Sequence, residues 1–201
     1  MSARIDHTVT SGTFSLDGQT FEVDNNVWVV GDDAECVVID APHDVDAILG
    51  LVGDRRVIAI ACTHAHDDHV RVAPELGRAV GAPVLLHPAD AELWALTHDT
   101  PPDADLSDGQ PIPVAGIALE VIHSPGHSPG AVCFYAPELG VVFTGDTLFS
   151  GGPGATGRSF SDADLIVRSI RQRLLTLPDD TVVKTGHGED TTIGAERAAI
   201  G

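Results

Sequence analysis

Between Thr63 and His69 the chain reads Thr-His-Ala-His-Asp-Asp-His, which puts three imidazoles and two carboxylates inside seven residues. Neutral imidazole and carboxylate are ligands suited to zinc, iron or manganese, and a loop leaving a buried strand can turn them toward one point. The apolar run Val57-Ile58-Ala59-Ile60-Ala61-Cys62 just before them reads as that strand. Burying so many titratable groups without a cation would cost on the order of several kcal/mol. A solvated turn would accept any polar residue, whereas this one is made almost wholly of ligand types. Three later positions complete a set of seven candidate ligands. His127 lies in Ser124-Pro125-Gly126-His127-Ser128-Pro129-Gly130, Asp146 in Gly145-Asp146-Thr147, and His187 in Lys184-Thr185-Gly186-His187-Gly188.

The elements that must carry these loops are legible from periodicity. Phe14-Ser15-Leu16 and Thr20-Phe21-Glu22-Val23 flank the turn dipeptide Asp17-Gly18 and predict a hairpin. Asn25-Asn26 breaks that pattern, after which Val27–Val30 and Glu35–Asp40 predict two strands, the second buried on both faces. Apolar residues at Val45, Ile48, Leu49 and Val52 predict a helix stopped by Gly53. Val70–Val80 reads as a second helix ended by Gly81, with Asp68 and His69 at or just before it. Pro83–His87 is a short strand, and Pro88 opens a helix through Leu93, Trp94 and Leu96. Residues 97–110, rich in Pro and Asp, read as a surface excursion. Ile117–His123, Ala131–Tyr135 and Val141–Thr144 predict strands, Asp162–Leu177 an amphipathic helix and Thr181–Val183 a last strand. Each ligand-bearing loop leaves a strand end, and the order of elements suggests two sheets with helices outside. One domain over 1–201 is the expectation for this length, with neither linker nor repeat in view.

In their order along the chain, His64-Ala65-His66-Asp67-Asp68-His69, His127, Asp146 and His187 resemble the H-x-H-x-D-H, H, D, H motifs of the metallo-β-lactamase superfamily. The likeness runs through essentially the whole chain. Ser124–Ser128, Gly145-Asp146-Thr147-Leu148-Phe149 and Gly186–Gly194 are most similar to the glyoxalase II (hydroxyacylglutathione hydrolase) branch. The resemblance implies an α/β fold, a four-layer αββα sandwich, with a two-metal site at the shared edge of the sheets. By that likeness His64, His66 and His127 hold one metal, Asp68, His69 and His187 the other, and Asp146 bridges. Asp67 falls on the variable position of the motif and is not counted as a ligand. The implied cofactors are two divalent metal ions, zinc first, with iron or manganese as alternatives. Such a pair lowers the pKa of water toward ~7, so hydroxide attack on a carbonyl is the expected chemistry, with Asp68 orienting the hydroxide. A thioester suits it, since a thiolate with pKa ~8.5 leaves without a proton donor. The expected function is a binuclear hydrolase, with zinc as the expected metal, of a thioester or related ester of a small molecule. The chain departs from full-length glyoxalase II in running only to Gly201, without the C-terminal helical segment that supplies basic residues for glutathione, so another thiol carrier or a simpler ester stays open.

Composition narrows the partners. Eleven basic against 30 acidic residues give a formal charge of −19, which repels nucleic acid and anionic membrane surfaces. No run reaches the ~18 apolar residues of a membrane span and the first residues lack the apolar stretch of a signal peptide, so the expected location is cytoplasmic. Cys36, Cys62 and Cys133 sit singly in apolar runs and read as reduced core residues. The expected partner is a small-molecule substrate, with oligomeric state open.

Candidate substrate contacts are Arg158 and Lys184, the basic residues nearest the site loops, with Phe149, Phe160 and His98. Residues 150–159 nearly spell a phosphate-binding loop, but Arg158 stands where lysine is required and no helix follows at once, so a glycine loop at the substrate mouth is preferred. Asp40, at a strand end, could orient a ligand imidazole. His7, His43, His87, His98 and His123 lie outside the motifs. A mononuclear iron persulfide dioxygenase using His64, His127 and Asp146 is the alternative activity. Lactone, β-lactam or phosphodiester hydrolysis would be variants of the first, and fold alone does not choose among them.

Overall fold

The computed structural model describes residues 2–200. The hairpin forms and is much longer than its sequence pattern: β1 (Arg4–Leu16) and β2 (Gln19–Gly31) pair antiparallel from Arg4 opposite Gly31 to Leu16 opposite Gln19. Asp17 and Gly18 make the turn with φ of 53° and 74°, the left-handed geometry that matches strand twist in a two-residue loop. β3 (Glu35–Ile39) returns along β2, α1 (Val45–Val52) crosses over, and β4 (Arg56–Ala61) lies parallel to β3. After α2 (Asp67–Val70) and α3 (Ala73–Val80) come β5 (Val84–Leu86), α4 (Ala91–Trp94) and β6 (Ala104–Asp105), completing a sheet in the order β1-β2-β3-β4-β5-β6. β7 (Pro111–Val114), β8 (Ile117–His123), β9 (Val132–Ala136) and β10 (Val141–Gly145) form a meander. The ribbon of β11 (Leu148–Phe149) and β12 (Gly152–Pro153), then α5 (Ala163–Ser169), lead to β13 (Val182–Thr185), parallel to β10. β14 (Thr191–Thr192) and α6 (Ile193–Ile200) follow, and the second sheet runs β14-β13-β10-β9-β8-β7.

Strand alternation sorts the side chains into layers. Trp28, Val30, Val37, Ile39, Ala59 and Ala61 face Leu119, Val121, Phe134 and Phe143 between the sheets. The alternate residues Val27, Val29, Cys36, Val38 and Ile60 pack outward against Ile48, Val52 and Leu76 of α1 and α3. On the far side, Cys133, Val142 and Val183 meet Ile166 of α5 and Ile193 of α6. Helix, sheet, sheet, helix is the αββα sandwich. All three cysteines are buried and free. Among the described residues no helix is long and apolar enough to cross a membrane.

Four local expectations are corrected. Asn25-Asn26 does not interrupt the strand: β2 runs straight through, with both residues buried. The helix expected over Val70–Val80 is two helices, because Pro74 has no N–H for the Val70 carbonyl four residues earlier. That carbonyl accepts instead from His98 Nε2 at 2.9 Å. The helix expected over Asp162–Leu177 holds α geometry only to Ser169, then opens into wider π-type turns over Ile170–Leu174. The Pro/Asp-rich excursion contains β6 and buries Leu106. Its pairing rests on Leu85 and Leu86 of β5, with no periodicity of its own.

Candidate metal centre

β8, β10 and β13 point the same way, so the segments leaving them emerge at one edge of the sandwich, where β4 also ends. The two sheets are tied there by Asn26 N–H to the Gly186 carbonyl and Val132 N–H to the Thr63 carbonyl, each 2.8 Å. All seven candidate ligands meet at this edge in groups whose ligand atoms lie within 4.8 Å: His64, His66 and His127; His64, His69 and Asp146; Asp68, His69 and His187. Asp146 lies between the outer groups, with Oδ1 3.3 Å from His69 Nε2 and Oδ2 3.4 Å from His187 Nε2 and 3.6 Å from His127 Nε2. The approach needs Gly186, where a Cβ would overlap Asp146 Oδ1 and His69 Cε1.

Hydrogen bonds on the outer side of the rings fix which nitrogen faces in. His127 Nδ1 donates to the Ala155 carbonyl at 2.9 Å, and His187 Nδ1 to the Asp24 carbonyl at 2.7 Å. His69 Nδ1 donates to Asp40 Oδ2 at 2.8 Å. Thr63 Oγ1 gives its own proton to Asp40 Oδ2 at 2.8 Å and therefore accepts from His64 Nδ1 at 3.0 Å. Each of these four rings thus turns Nε2 inward as the nitrogen left for a ligand. Nε2 of His64 and of His127 each lies 2.9 Å from His66 Nδ1, while Nε2 of His187 stands 3.3 Å from Asp68 Oδ2. Asp146 Oδ1 is buried with no hydrogen-bond partner. Lone pairs and carboxylates converging in this way repel one another unless positive charge sits among them, and the donor set of imidazole nitrogen and carboxylate oxygen fits a divalent cation in each cluster.

Titration behaviour divides along the same line. Burial holds His64 well below the usual histidine range and His66 at about 3, and lowers His127, so these three stay neutral, as ligands must be. In the other cluster burial opposes charge but loses. Asp146 and Asp68 raise His69 well above its ordinary value, and chiefly Asp146 lifts His187 to about 10. The imidazoles in turn hold Asp68 at about 2 and Asp146 well below the usual carboxylate range. The metal-free chain therefore balances two carboxylates with protons in the place a cation would take.

Two buried aspartates position the ligand loops. Asp40, at φ 60°, accepts from Thr63 N–H at 2.7 Å besides the Thr63 hydroxyl and His69, so the expected orienting role at this strand end is met by a direct contact with a ligand ring. Asp90 carries no motif signal. It accepts from Ala65 N–H at 2.9 Å, Ser128 Oγ at 2.7 Å and Gly130 N–H at 2.5 Å, clamping the two loops that bear His64, His66 and His127. Asp67 turns away to Ser15 N–H and Arg71.

A cavity of about 350 Å³ opens over the clusters, lined by His66, Asp68, His127, Asp146 and His187 together with Phe14, Val23, Asp24, Ala155 and Arg158. The Arg158 guanidinium lies 5.0 Å from the Phe14 ring centroid and 4.7 Å from that of Phe21, with no ion pair among the described residues. Phe149 lies beside the ligands, 6.3 Å ring to ring from His187. The other three candidate contacts are elsewhere. Lys184 pairs with Asp190 at 2.5 Å over Trp28 in a separate hollow, Phe160 packs on the core beneath the first sheet, and His98 lies tilted against Trp94 while capping Val70. His7 stacks on Trp28, and His87 on His123.

This geometry defines a metal-dependent hydrolase site on an αββα scaffold. The family model described as the metallo-β-lactamase superfamily matches residues 21–187, and the chain belongs to that superfamily. It is 37% identical over 169 residues to a hydroxyacylglutathione hydrolase of Aeromonas salmonicida, covering 82% of this chain and 61% of that one. It is 32% identical over 190 residues to the hydroxyacylglutathione hydrolase GloC of Haemophilus influenzae, covering 85% and 87%. Among solved structures, the B3 metallo-β-lactamase BLEG-1 superimposes with a TM-score of 0.80 at 30% identity, over 94% of this chain and 97% of that one. TTHA1623 in a di-iron-bound form gives 0.75 at 34% identity, over 94% and 98%.

Proposed function

We propose that this protein is a binuclear metal hydrolase, glyoxalase II-like, that cleaves a thioester or related ester of a small anionic molecule, with zinc as its metal. The observation that carries this reading is the pair of three-ligand clusters meeting at Asp146 on the floor of a cavity whose wall carries the Arg158 guanidinium. His64, His66 and His127 would hold one cation and Asp68, His69 and His187 the other. When bound, the pair supplies Lewis acidity, lowering the pKa of water toward ~7 and polarising a carbonyl. Asp68, on the cavity wall, accepts a hydrogen bond from the attacking water and so orients its lone pair. Arg158, braced on two phenyl rings, receives the anionic end of the substrate, and Phe14 and Val23 shield the reacting bond from bulk water. A thiolate of pKa ~8.5 leaves without a proton, whereas an amine needs a donor, and among the described residues lining the cavity none is free to serve as one once the imidazoles are ligands. The likeness to GloC, over most of both chains, supports the same substrate class.

The test is elemental analysis of protein purified without added metal, followed by thioester hydrolysis on that sample. About two zinc ions per chain, with turnover abolished in His64→Ala and Asp146→Ala, is the expected result. About one iron per chain, with oxygen uptake on a persulfide and no thioester cleavage, would replace this reading with the dioxygenase.

A further inference from the structure

Asn25 lies in the middle of β2, fully buried, and its side chain reaches into the second cluster. Nδ2 is 3.1 Å from Asp68 Oδ2, 3.3 Å from His69 Nε2 and 3.4 Å from His187 Nε2. Oδ1 is 2.8 Å from His43 Nε2. The neighbouring Asn26 is engaged otherwise, its Nδ2 bonding the carbonyls of Thr185 and Gly188 at 3.1 Å each. Asn25 therefore touches three proposed ligands of one cluster, and none of the hydrogen bonds it makes goes to the other.

The orientation of the Asn25 amide follows from its neighbours. With Nδ2 toward the ligands, an N–H meets a carboxylate oxygen; reversed, two oxygens would face each other at that distance. The His43 ring supports the same choice. It occupies the space left by Gly12, where a Cβ would overlap the ring, and its Nδ1 is buried without a partner. If Asn25 Oδ1 accepts from Nε2–H, the orphan on Nδ1 is a bare lone pair; in the reverse arrangement it would be an N–H, and orphaned buried donors are the rarer case. Gly12, His43 and Asn25 thus form a chain of contacts from β1 to Asp68 that sets where one carboxylate oxygen points.

Resting on the two-cluster reading above, we infer that Asn25, held by His43, is a positioning residue for the cluster of Asp68, His69 and His187, and sets the cation affinity of that cluster independently of the first. A ligating carboxylate fixed by an outside donor starts in its binding geometry, and loss of such a donor commonly weakens a site by about 10–100-fold.

Stepwise Co²⁺ titration of metal-stripped protein, followed by absorption and by competition with a chelator, tests this without any substrate. The wild-type chain should take two equivalents. In Asn25→Ala the first should bind as in wild type and the second about 10–100-fold more weakly. His43→Ala should shift the second equivalent in the same direction by less, and His43→Gln, whose amide N–H can meet Asn25 Oδ1, should restore it. A second equivalent as tight in Asn25→Ala as in wild type, or equal weakening of both, would overturn the inference while leaving the two-cluster reading standing. A wild-type chain that takes a single equivalent would overturn both.

Discussion

Arg158 is the residue at which charge and packing meet on the cavity wall. In a chain of net charge −19 most guanidinium groups near an acid find one, as Arg55 does with Asp6 and Arg173 with Asp108, yet Arg158 rests on Phe14 and Phe21 at the cavity wall. Stacking on an aromatic face leaves the planar edge of a guanidinium open to a carboxylate, a geometry that lysine does not reproduce. Arg158→Ala should therefore raise KM for a carboxylated thioester by about tenfold with kcat little changed, the loss of a single charge-assisted contact. Steady-state kinetics against the uncharged analogue, whose KM should hardly move, checks it. Asp90 works through the hydrogen bonds by which it holds two ligand loops together. Asp90→Ala removes the acceptor of three buried donors and should cost on the order of 2–4 kcal/mol, read as a fall in denaturant midpoint at unchanged m-value. The seven candidate ligands were legible because imidazole and carboxylate at strand ends have few other uses. Asp90 and Asn25 were not, since a lone Asp after Pro88 or an Asn pair after Val23 reads locally as a cap or a break, and only the folded chain brings them to residues 25–43 positions away.

At the scale of elements, the segment from His66 to Val80 shows how one proline shapes the site. Pro74 cannot bond the Val70 carbonyl, so α2 ends after a single turn and the chain reorients before α3. Asp68 and His69 consequently lie on a short turn whose direction is set by Asp40 and Asn25, independent of the axis of α3. His98 Nε2 completes the break by donating to Val70, which makes His98 structural. His98→Ala should lower stability by about 1 kcal/mol, a hydrogen bond's worth, and leave KM unchanged; thermal unfolding and kinetics on the same variant separate this from a substrate role, in which KM would rise. The strands and most helices could be read from period, with β3 a clear case of an apolar run buried on both faces. What periodicity missed was decided by partners. β2 continues through Asn25-Asn26 because β1 pairs with it over its full length, and β6 exists because β5 offers an open edge. The wider turns after Ser169 likewise leave the apolar spacing of Ile166, Ile170 and Leu174 intact, so the sequence shows their face and not their geometry.

Across the whole molecule, the edge where the two sheets meet concentrates charge that only a cation or protons can balance, and this makes the effect of metal removal depend on pH. In the metal-free chain His187 is lifted to about 10 and His69 is raised as well, chiefly by Asp146 for both. A raised histidine contributes stability that is fully present below its unfolded value near ~6.5 and is lost as pH climbs through the folded value. Asp68, held at about 2, contributes above its unfolded value near ~3.9 and loses that contribution as pH falls through the folded value. The stripped protein should accordingly be most stable between roughly pH 4 and 6.5 with respect to these groups, and should weaken steadily toward pH 10. The loaded protein has no such proton to lose from the second cluster, because a cation replaces it, so its melting temperature should stay level over the same alkaline range. The gap between loaded and chelator-stripped melting temperatures should therefore widen from pH 6 to pH 9, whereas affinity for the cation falls on acidification as protons compete for the same Nε2 atoms. Calorimetry of both forms across that range reads the first effect and chelator competition the second. A gap that stays constant with pH would mean that the imidazoles of His69 and His187 are already neutral in the stripped chain and that its two carboxylates are balanced by groups other than these rings.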